Sequence, residues 1–331
     1  MNPPSIVSTS LATEEFIVLS RERTAQLLDF SKLVDAIATA ALEYDAGQIQ
    51  SPERMVVPFG AGGVMLSMPA TAHDIGIHKL VTVQPANKER QLPTIHGMVT
   101  VCDTETGKPI CLLDGPEVTG RRTAAVTMLA IRTFLKKAPR EILLIGTGVQ
   151  ARHHVQALYA LYPQSKIWVR GRSETSSIAF CDRHQPLHSK LVPAKHSISD
   201  HVNVVITVTT STQAIYNETA LRDRLVIGVG AFTPEMAELG KTTLNGSAIF
   251  ADDPASARHE AGDLIQADID WSCVRSLAHA LQSRIDESRP RVFKSVGTGA
   301  WDLAAARVAL QAIQTKNLFK ISIKGCSARQ N

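Results

Sequence analysis

Apolar residues follow two rhythms along this 331-residue chain. Leu33, Val34, Ile37, Ala40, Ala41 and Tyr44 recur at helical spacing until Gly47, which predicts an amphipathic helix behind a short strand in "EEFIVLS". From residue 54 the rhythm shortens to extended runs: "RMVVPF", "GVMLSMPAT", "GIHKLVTV", "HGMVTVCD" and "KPICLLD", the last two joined through "TETG". The first third therefore predicts an α+β unit with a meander of strands. A helix is expected to open at Thr119 in "TGRRTAAVTMLAIRTFLKK", with threonine as N-cap and lysines at the C-terminal end. Beyond it, "EILLIG", "KIWVRG", "VNVVITVTT", "RLVIGVG" and "SAIFAD" are short β-branched runs separated by helical or loop stretches. That alternation predicts an α/β fold with a Rossmann-type doubly wound parallel sheet, and "SVGTGAWDLAAARVALQAIQ" closes the chain as a loop and a helix.

The first of these later strands ends on glycine. Ile142, Leu143, Leu144 and Ile145 run directly into Gly146, Thr147, Gly148, Val149, Gln150 and Ala151. Glycine lets the chain turn sharply and lets a ligand approach the backbone, while the following helix offers free N–H groups to an anion. Val149, Val155 and Leu158 have helical spacing and Ala151 stands in for a third glycine, so the segment reads as a dinucleotide-binding turn. After the next strand, Arg170, Arg172 and Ser173 precede the first carboxylate, Glu174. A 2′-phosphate, with roughly −1.5 to −2 charges, suits a guanidinium fork and a hydroxyl. NADPH is the expected cofactor, with NADH as the alternative: there, both arginines are solvated and Glu174 reaches back to an NAD ribose.

Four cations outside this segment are candidates for chemistry. Lys79 shares a strand face with Ile77, Val81 and Val83, a costly place for a bare ammonium. Either the strand lies at an edge and the lysine is solvated, or an anion completes the site; on these residues alone the edge reading is preferred. Arg121 and Arg122 fall in the first turn of the expected helix, the end that disfavours cations unless a negative ligand is near. Arg54 stands at the start of a strand. Each arginine alone reads as a surface residue, but two forks and an ammonium together would clamp a carboxylate.

These segments, with "GIHKLVTVQPANKERQLPTIHGMV", "TGKPICLLDGPEVTGRRTAA", "LLIGTGVQARHH", "VVITVTTS" and "FKSVGTGAWDLAAA" in order, resemble the ornithine cyclodeaminase and mu-crystallin superfamily of NAD(P)-dependent imine and amino-acid enzymes. The resemblance implies that Arg54, Lys79 and Arg122 hold the substrate carboxylate, with Lys79 as the catalytic candidate, and leaves out Arg121, where the family varies. It implies that Thr209, Thr210, Ser211, Gly230, Gly297 and Thr298 border the nicotinamide. It also implies a homodimer in which residues 1–120, completed by 301–331, form a substrate-binding and dimerisation domain, and 121–300 the cofactor domain. Cyclodeaminases of this kind carry an aspartate in the loop after the fourth cofactor-domain strand, where this chain has Phe232, which relays no proton. Glu235 and Glu238 nearby read as a helix N-terminal charge and a surface residue. The expectation is an NADPH-dependent reductase of 1-pyrroline-2-carboxylate and 1-piperideine-2-carboxylate. Alternatives are a cyclodeaminase, an alanine-dehydrogenase-like enzyme, or a non-catalytic NADPH-gated binder of mu-crystallin type.

Composition narrows the field. A net charge of +4 without a basic tail points away from nucleic acid. Five scattered cysteines without C-x-x-C pairs read as reduced thiols of a cytoplasmic protein, and no metal site is expected from the histidine spacing. Neither an export signal nor a membrane span is expected. Ring-size preference and the proton donor stay open.

Overall fold

The computed structural model describes residues 16–194 and 198–327. Strand β1 (Ile17–Val18) leads into α1 (Arg21–Leu27) and α2 (Phe30–Asp45), the latter capped by Asp29, whose carboxylate accepts from Lys32 N–H at 3.0 Å. The meander follows as β2 (Met55–Phe59), β3 (Gly63–Thr71), β4 (Ile75–Val83), β5 (Ile95–Asp103) and β6 (Pro109–Asp114). These form a six-stranded sheet in the order β1-β6-β5-β4-β3-β2, antiparallel except for β1 against β6. Lys79 on β4 lies between Met68 and Val99 of its two neighbours, so the edge-strand reading is overturned.

Helix α3 (Gly115–Phe134) starts earlier than its expected opening at Thr119. Asp114 is the cap, accepting from Glu117 N–H at 2.8 Å, and Pro116 is tolerated in the first turn because its missing donor has no partner there anyway. Arg121 and Arg122 consequently sit in the second turn rather than the first, away from the orphan N–H groups of the helix end.

Strand β7 (Glu141–Ile145) and α4 (Val149–Leu161) open the second sheet, followed by β8 (Lys166–Arg170), α5 (Glu174–His184), β9 (Leu191–Pro193) and β10 (Val202–Thr207). Next come β11 (Thr212–Tyr216), β12 (Leu225–Gly228), β13 (Ala237–Leu239), α6 (Lys241–Asn245), β14 (Ala248–Ala251), α7 (Pro254–Glu260) and α8 (Gly262–Ala267). The chain finishes with β15 (Arg275–Ser276), α9 (Leu277–Gln282), β16 (Arg291–Lys294) and α10 (Gly299–Ser327). Eight strands run parallel in the order β15-β14-β16-β12-β10-β7-β8-β9, while β11 and β13 pair separately. The sheet is buried on both faces: Ile142 and Leu144 of β7 join the core shared with α2, α3 and α10, and Leu143 and Ile145 join the one beneath α7 and α8.

Strand β16, between β12 and β14, was hidden in the sequence by a cation at each end of four residues. Arg291 donates to the Phe134 and Arg222 carbonyls at 3.1 and 3.0 Å, and Lys294 pairs with Asp263 at 3.2 Å. Helix α10 returns to the first sheet, where Arg307 bonds Asp74 at 2.8 Å and also Glu43. The strand order reverses between β7 and β10, so a crevice opens at the carboxyl ends of these strands. Among the described residues no helix is long and apolar enough to cross a membrane.

Candidate active site

Two of the four candidate cations meet on one side chain that the sequence reading passed over. Lys79 Nζ donates to Asp302 Oδ2 at 2.5 Å and Arg122 Nε to Asp302 Oδ1 at 3.2 Å. All three are buried, their side chains being 2%, 7% and 0% exposed. The anion that stabilises Lys79 is thus supplied by the first turn of α10. Burial lowers the Lys79 ammonium to about 8, helped by the charges of Arg122 and Arg54 and opposed by Asp302.

Arg54 approaches from the segment ahead of β2. Its Nη2 donates to the carbonyls of Val296 and Gly297 at 3.1 and 3.0 Å and to Glu260 at 2.6 Å. Burial pushes the Glu260 carboxyl up to about 7, although Arg54 works against that rise. Gly297 links the arginines: it has φ +80°, and a Cβ built on it would lie 2.6 Å from Arg122 Nη1. Arg54 and Arg122 therefore converge on the loop between β16 and α10, and Lys79 on the first turn of α10 that follows it.

That loop is held from below. Asp252, just past β14, accepts from Ser295 Oγ at 2.7 Å, from Val296 and Gly297 N–H at 3.0 Å each, and from Trp301 Nε1 at 3.1 Å. From the other lobe, Ser51 Oγ lies 2.9 Å from Thr298 Oγ1. Gly297 and Thr298 are thereby fixed between the two sheets.

The glycine turn sits at the end of β7. Gly146 takes φ +131°, with Val208 atoms 2.9 Å from where a Cβ would stand, so a side chain is excluded there for internal reasons. Gly148 has nothing within 4 Å of its Cβ position and caps α4 without a side-chain bond. Val149 is 63% exposed rather than part of the core face its spacing suggested, because it occupies the first position of α4, above the open turn. Ala151 is fully buried, as a third-glycine position requires, while Thr147 and Gln150 are half-buried. An open cradle of backbone with free N–H groups at a helix start fits a pyrophosphate.

At the end of β8 the residues expected at the ribose separate. Arg172 and Ser173 are exposed, and Ser173 caps α5, accepting from Ser176 N–H at 3.2 Å. Arg170 instead lines a cavity of about 160 Å³ with Leu143, Trp168 and Val202, in the field of Glu218 and Tyr216. Glu174 lies in the first turn of α5.

Thr209, Thr210 and Ser211 follow β10, and Gly230 follows β12, so both segments lie on the side of the crevice facing the loop of Gly297. Glu238 corrects the sequence reading: it is fully buried on β13, neither on the surface nor at a helix start, and Glu235 is exposed in a turn. Its Oε2 accepts from Gly230 N–H at 2.6 Å and Thr207 Oγ1 at 2.8 Å. Phe232, in the same loop, is 38% exposed. Among the described residues no His, Cys, Asp and Glu cluster could hold a metal ion.

The comparisons with known proteins agree with one another. Over 294 residues, 88% of this chain and 94% of the relative, the sequence is 52% identical to the Delta(1)-pyrroline-2-carboxylate/Delta(1)-piperideine-2-carboxylate reductase of Azospirillum brasilense. Over the same shares it is 51% identical to Delta(1)-pyrroline-2-carboxylate reductase 1 of Burkholderia multivorans. The fold is similar to that of the Thermococcus litoralis Delta(1)-pyrroline-2-carboxylate reductase solved with NADH and L-proline, at TM-score 0.81 and 22% identity over 91% of this chain and 98% of that one. Residues 14–317, which include every strand of both sheets, the glycine turn and the three converging cations, match a single family: this chain belongs to the ornithine cyclodeaminase/mu-crystallin family.

Proposed function

We propose that this chain is an NADPH-dependent reductase of small cyclic 2-imino acids, 1-pyrroline-2-carboxylate and 1-piperideine-2-carboxylate, forming proline and pipecolate as a cytoplasmic homodimer. The observation that carries the reading is the convergence of Arg54 and Arg122 on the loop of Gly297 and of Lys79 and Arg122 on Asp302 just after it, beside a crevice fit for a dinucleotide. Support comes from relatives of that name at 52% and 51% identity.

In this reading the two arginines and Lys79 bind the substrate carboxylate. That anchors the ring, so the imine carbon is presented to one face of the crevice and the reaction becomes effectively intramolecular. When bound, the reduced nicotinamide supplies hydride. Gly146, Thr147, Gly148, Val149, Gln150 and Ala151 hold its pyrophosphate, and Thr209, Thr210, Ser211, Gly230, Gly297 and Thr298 border its ring. Arg172 and Ser173 contact the 2′-phosphate, with Arg170 set behind them. Lys79 is the proton donor for the imine nitrogen: an ammonium near 8 gives up a proton far more readily than an ordinary lysine. Phe232 leaves no carboxylate for cyclodeamination at its position.

Residues 1–120 with 301–331 form the substrate and dimerisation domain, and 121–300 the cofactor domain. Edge strand β2 supports the dimer, since Met55, Val56, Val57 and Phe59 are all exposed on it, a hazard for a lone chain. Incubating the protein with NADPH and each cyclic imine, while following absorbance of the reduced cofactor, tests the function. Oxidation with both imines is expected; none with either, alongside tight retention of small ligands, would leave a binding protein.

A further inference from the structure

Among the described residues, Asp302 bonds both buried cations of the clamp and no other charged group. We infer that Asp302 is a positioning residue for the reaction proposed above, setting the spacing of Lys79 and Arg122 by giving each cation one of its two oxygens.

The geometry favours this over a plain helix-to-sheet tie. Arg122 is engaged through Nε, which turns its terminal Nη1 and Nη2 towards Gly297. Those are the atoms that grip a carboxylate in a bidentate fork. Asp302 itself is held on both sides. Trp301 is anchored to Asp252 at 3.1 Å, and at Gly299 a Cβ would come within 2.9 Å of Ser51 Oγ and 3.1 Å of the Pro69 carbonyl. The start of α10 therefore has little freedom, and it passes that rigidity to both cations.

Charge counting points the same way. Lys79 and Arg122 share the one carboxylate of Asp302, whereas Arg54 has Glu260 as its own partner. A substrate carboxylate would give the pair a second anion, and buried cations that share a single partner favour such a ligand.

The charge of Asp302 also governs Lys79. The charged groups facing Lys79 are Asp302 from α10, Arg122 from α3 and Arg54 ahead of β2, while its cross-strand neighbours Met68 and Val99 are neutral. Of the three, Asp302 alone favours the ammonium. Removing that charge without changing the shape therefore separates positioning from packing.

The test compares Asp302→Asn with the full wild-type chain. The basic limb of kcat/KM for the cyclic imine is expected to move at least one pH unit lower, with KM raised ~10-fold or more. Thermal unfolding supplies a readout that needs no turnover. Between the variant's lower Lys79 titration and the wild type's, only the variant's native state lacks the proton that its unfolded state binds, so its deficit in Tm grows as pH falls from 9 to 6.5. A merely structural aspartate would leave KM and the basic limb of kcat/KM at their wild-type positions, and that result overturns the inference. Should the amide variant fail to fold, Asp302→Glu decides: it keeps the charge and the limb, but its extra methylene displaces both contacts and KM rises, whereas a wild-type KM overturns the spacing role. A wild type inactive on every cyclic imine defeats the reductase reading alone, because the unfolding comparison stands without substrate.

Discussion

Glu238 holds Thr209 twice, its Oε1 accepting from the Thr209 backbone N–H at 2.5 Å and from the Thr209 hydroxyl at 2.8 Å. With Oε2 on Gly230, one buried carboxylate ties the carboxyl end of β10 to that of β12. The Thr209 hydroxyl proton is directed inward by this bond, and Ser211 gives its own hydroxyl proton to the Gln213 carbonyl at 2.6 Å.

Glu238→Gln is therefore expected to be nearly as damaging as Glu238→Ala. An amide has the right shape, but its NH₂ end cannot accept from the N–H groups on either side, and each buried donor left unpaired costs about 1–3 kcal/mol. Thermal unfolding and NADPH titration measure it: a drop in Tm of several degrees and a weaker Kd for NADPH are the expected results, and a silent glutamine variant contradicts them.

Much of this architecture is readable from residue order, and the exceptions share a cause. The strands β2 to β8 and the glycine turn announce themselves through local pattern, whereas Arg54, Lys79 and Arg122 stand out only through the family resemblance, since alone each reads as a solvated residue. Asp302 does not announce itself, because its partners lie far along the chain, Lys79 being 223 positions away, and Glu238 does not, because its partners are mainly backbone N–H and hydroxyl groups that leave no charge pattern in the sequence. A signal did exist, since Asp302 is a lone carboxylate in the apolar run "AWDLAAARVAL" and Lys79 a lone ammonium on an apolar strand face. Two isolated opposite charges in buried settings are natural partners, but nothing local says which will meet. The early start of α3 has another cause: Thr119 is a plausible cap, but Asp114 followed by Pro116 in the first turn makes a helix entry four residues before the expected start.

Gly297→Ala tests the convergence of the arginines. The new methyl would stand 2.6 Å from Arg122 Nη1 on a backbone at φ +80°, so the guanidinium must move. A displacement of that size lowers kcat/KM for the imine roughly 10- to 100-fold. The Kd for NADPH is expected to change much less, and equal losses in both would place the effect in the cofactor site instead.

Arg172→Ala addresses cofactor choice. Loss of a charge-assisted contact of about 1.5–3 kcal/mol should raise the KM for NADPH roughly 10- to 100-fold while sparing that for NADH. Parallel steady-state titrations of both cofactors decide it; equal changes contradict a 2′-phosphate contact.

Glu260 gives a pH signature. Its folded-state value, about 7, stands above the ordinary carboxyl value of 4.5, so between those values the native state binds more protons than the unfolded one. Stability contributed by this group is thus present at low pH and is lost as pH rises towards 7. Relative to Glu260→Gln, the wild type is expected to lose roughly 2–5 °C in Tm between pH 5 and 7.5. A difference independent of pH would show that the group titrates as an ordinary carboxyl.

The most direct measurement is a crystal structure of the chain with NADP⁺ and L-proline. The carboxylate should lie within hydrogen-bond distance of Arg122 and Lys79, near Arg54, with the ring carbon that carries it facing the nicotinamide. Proline bound elsewhere, or those three side chains turned away from its carboxylate, would contradict the proposed site at its root.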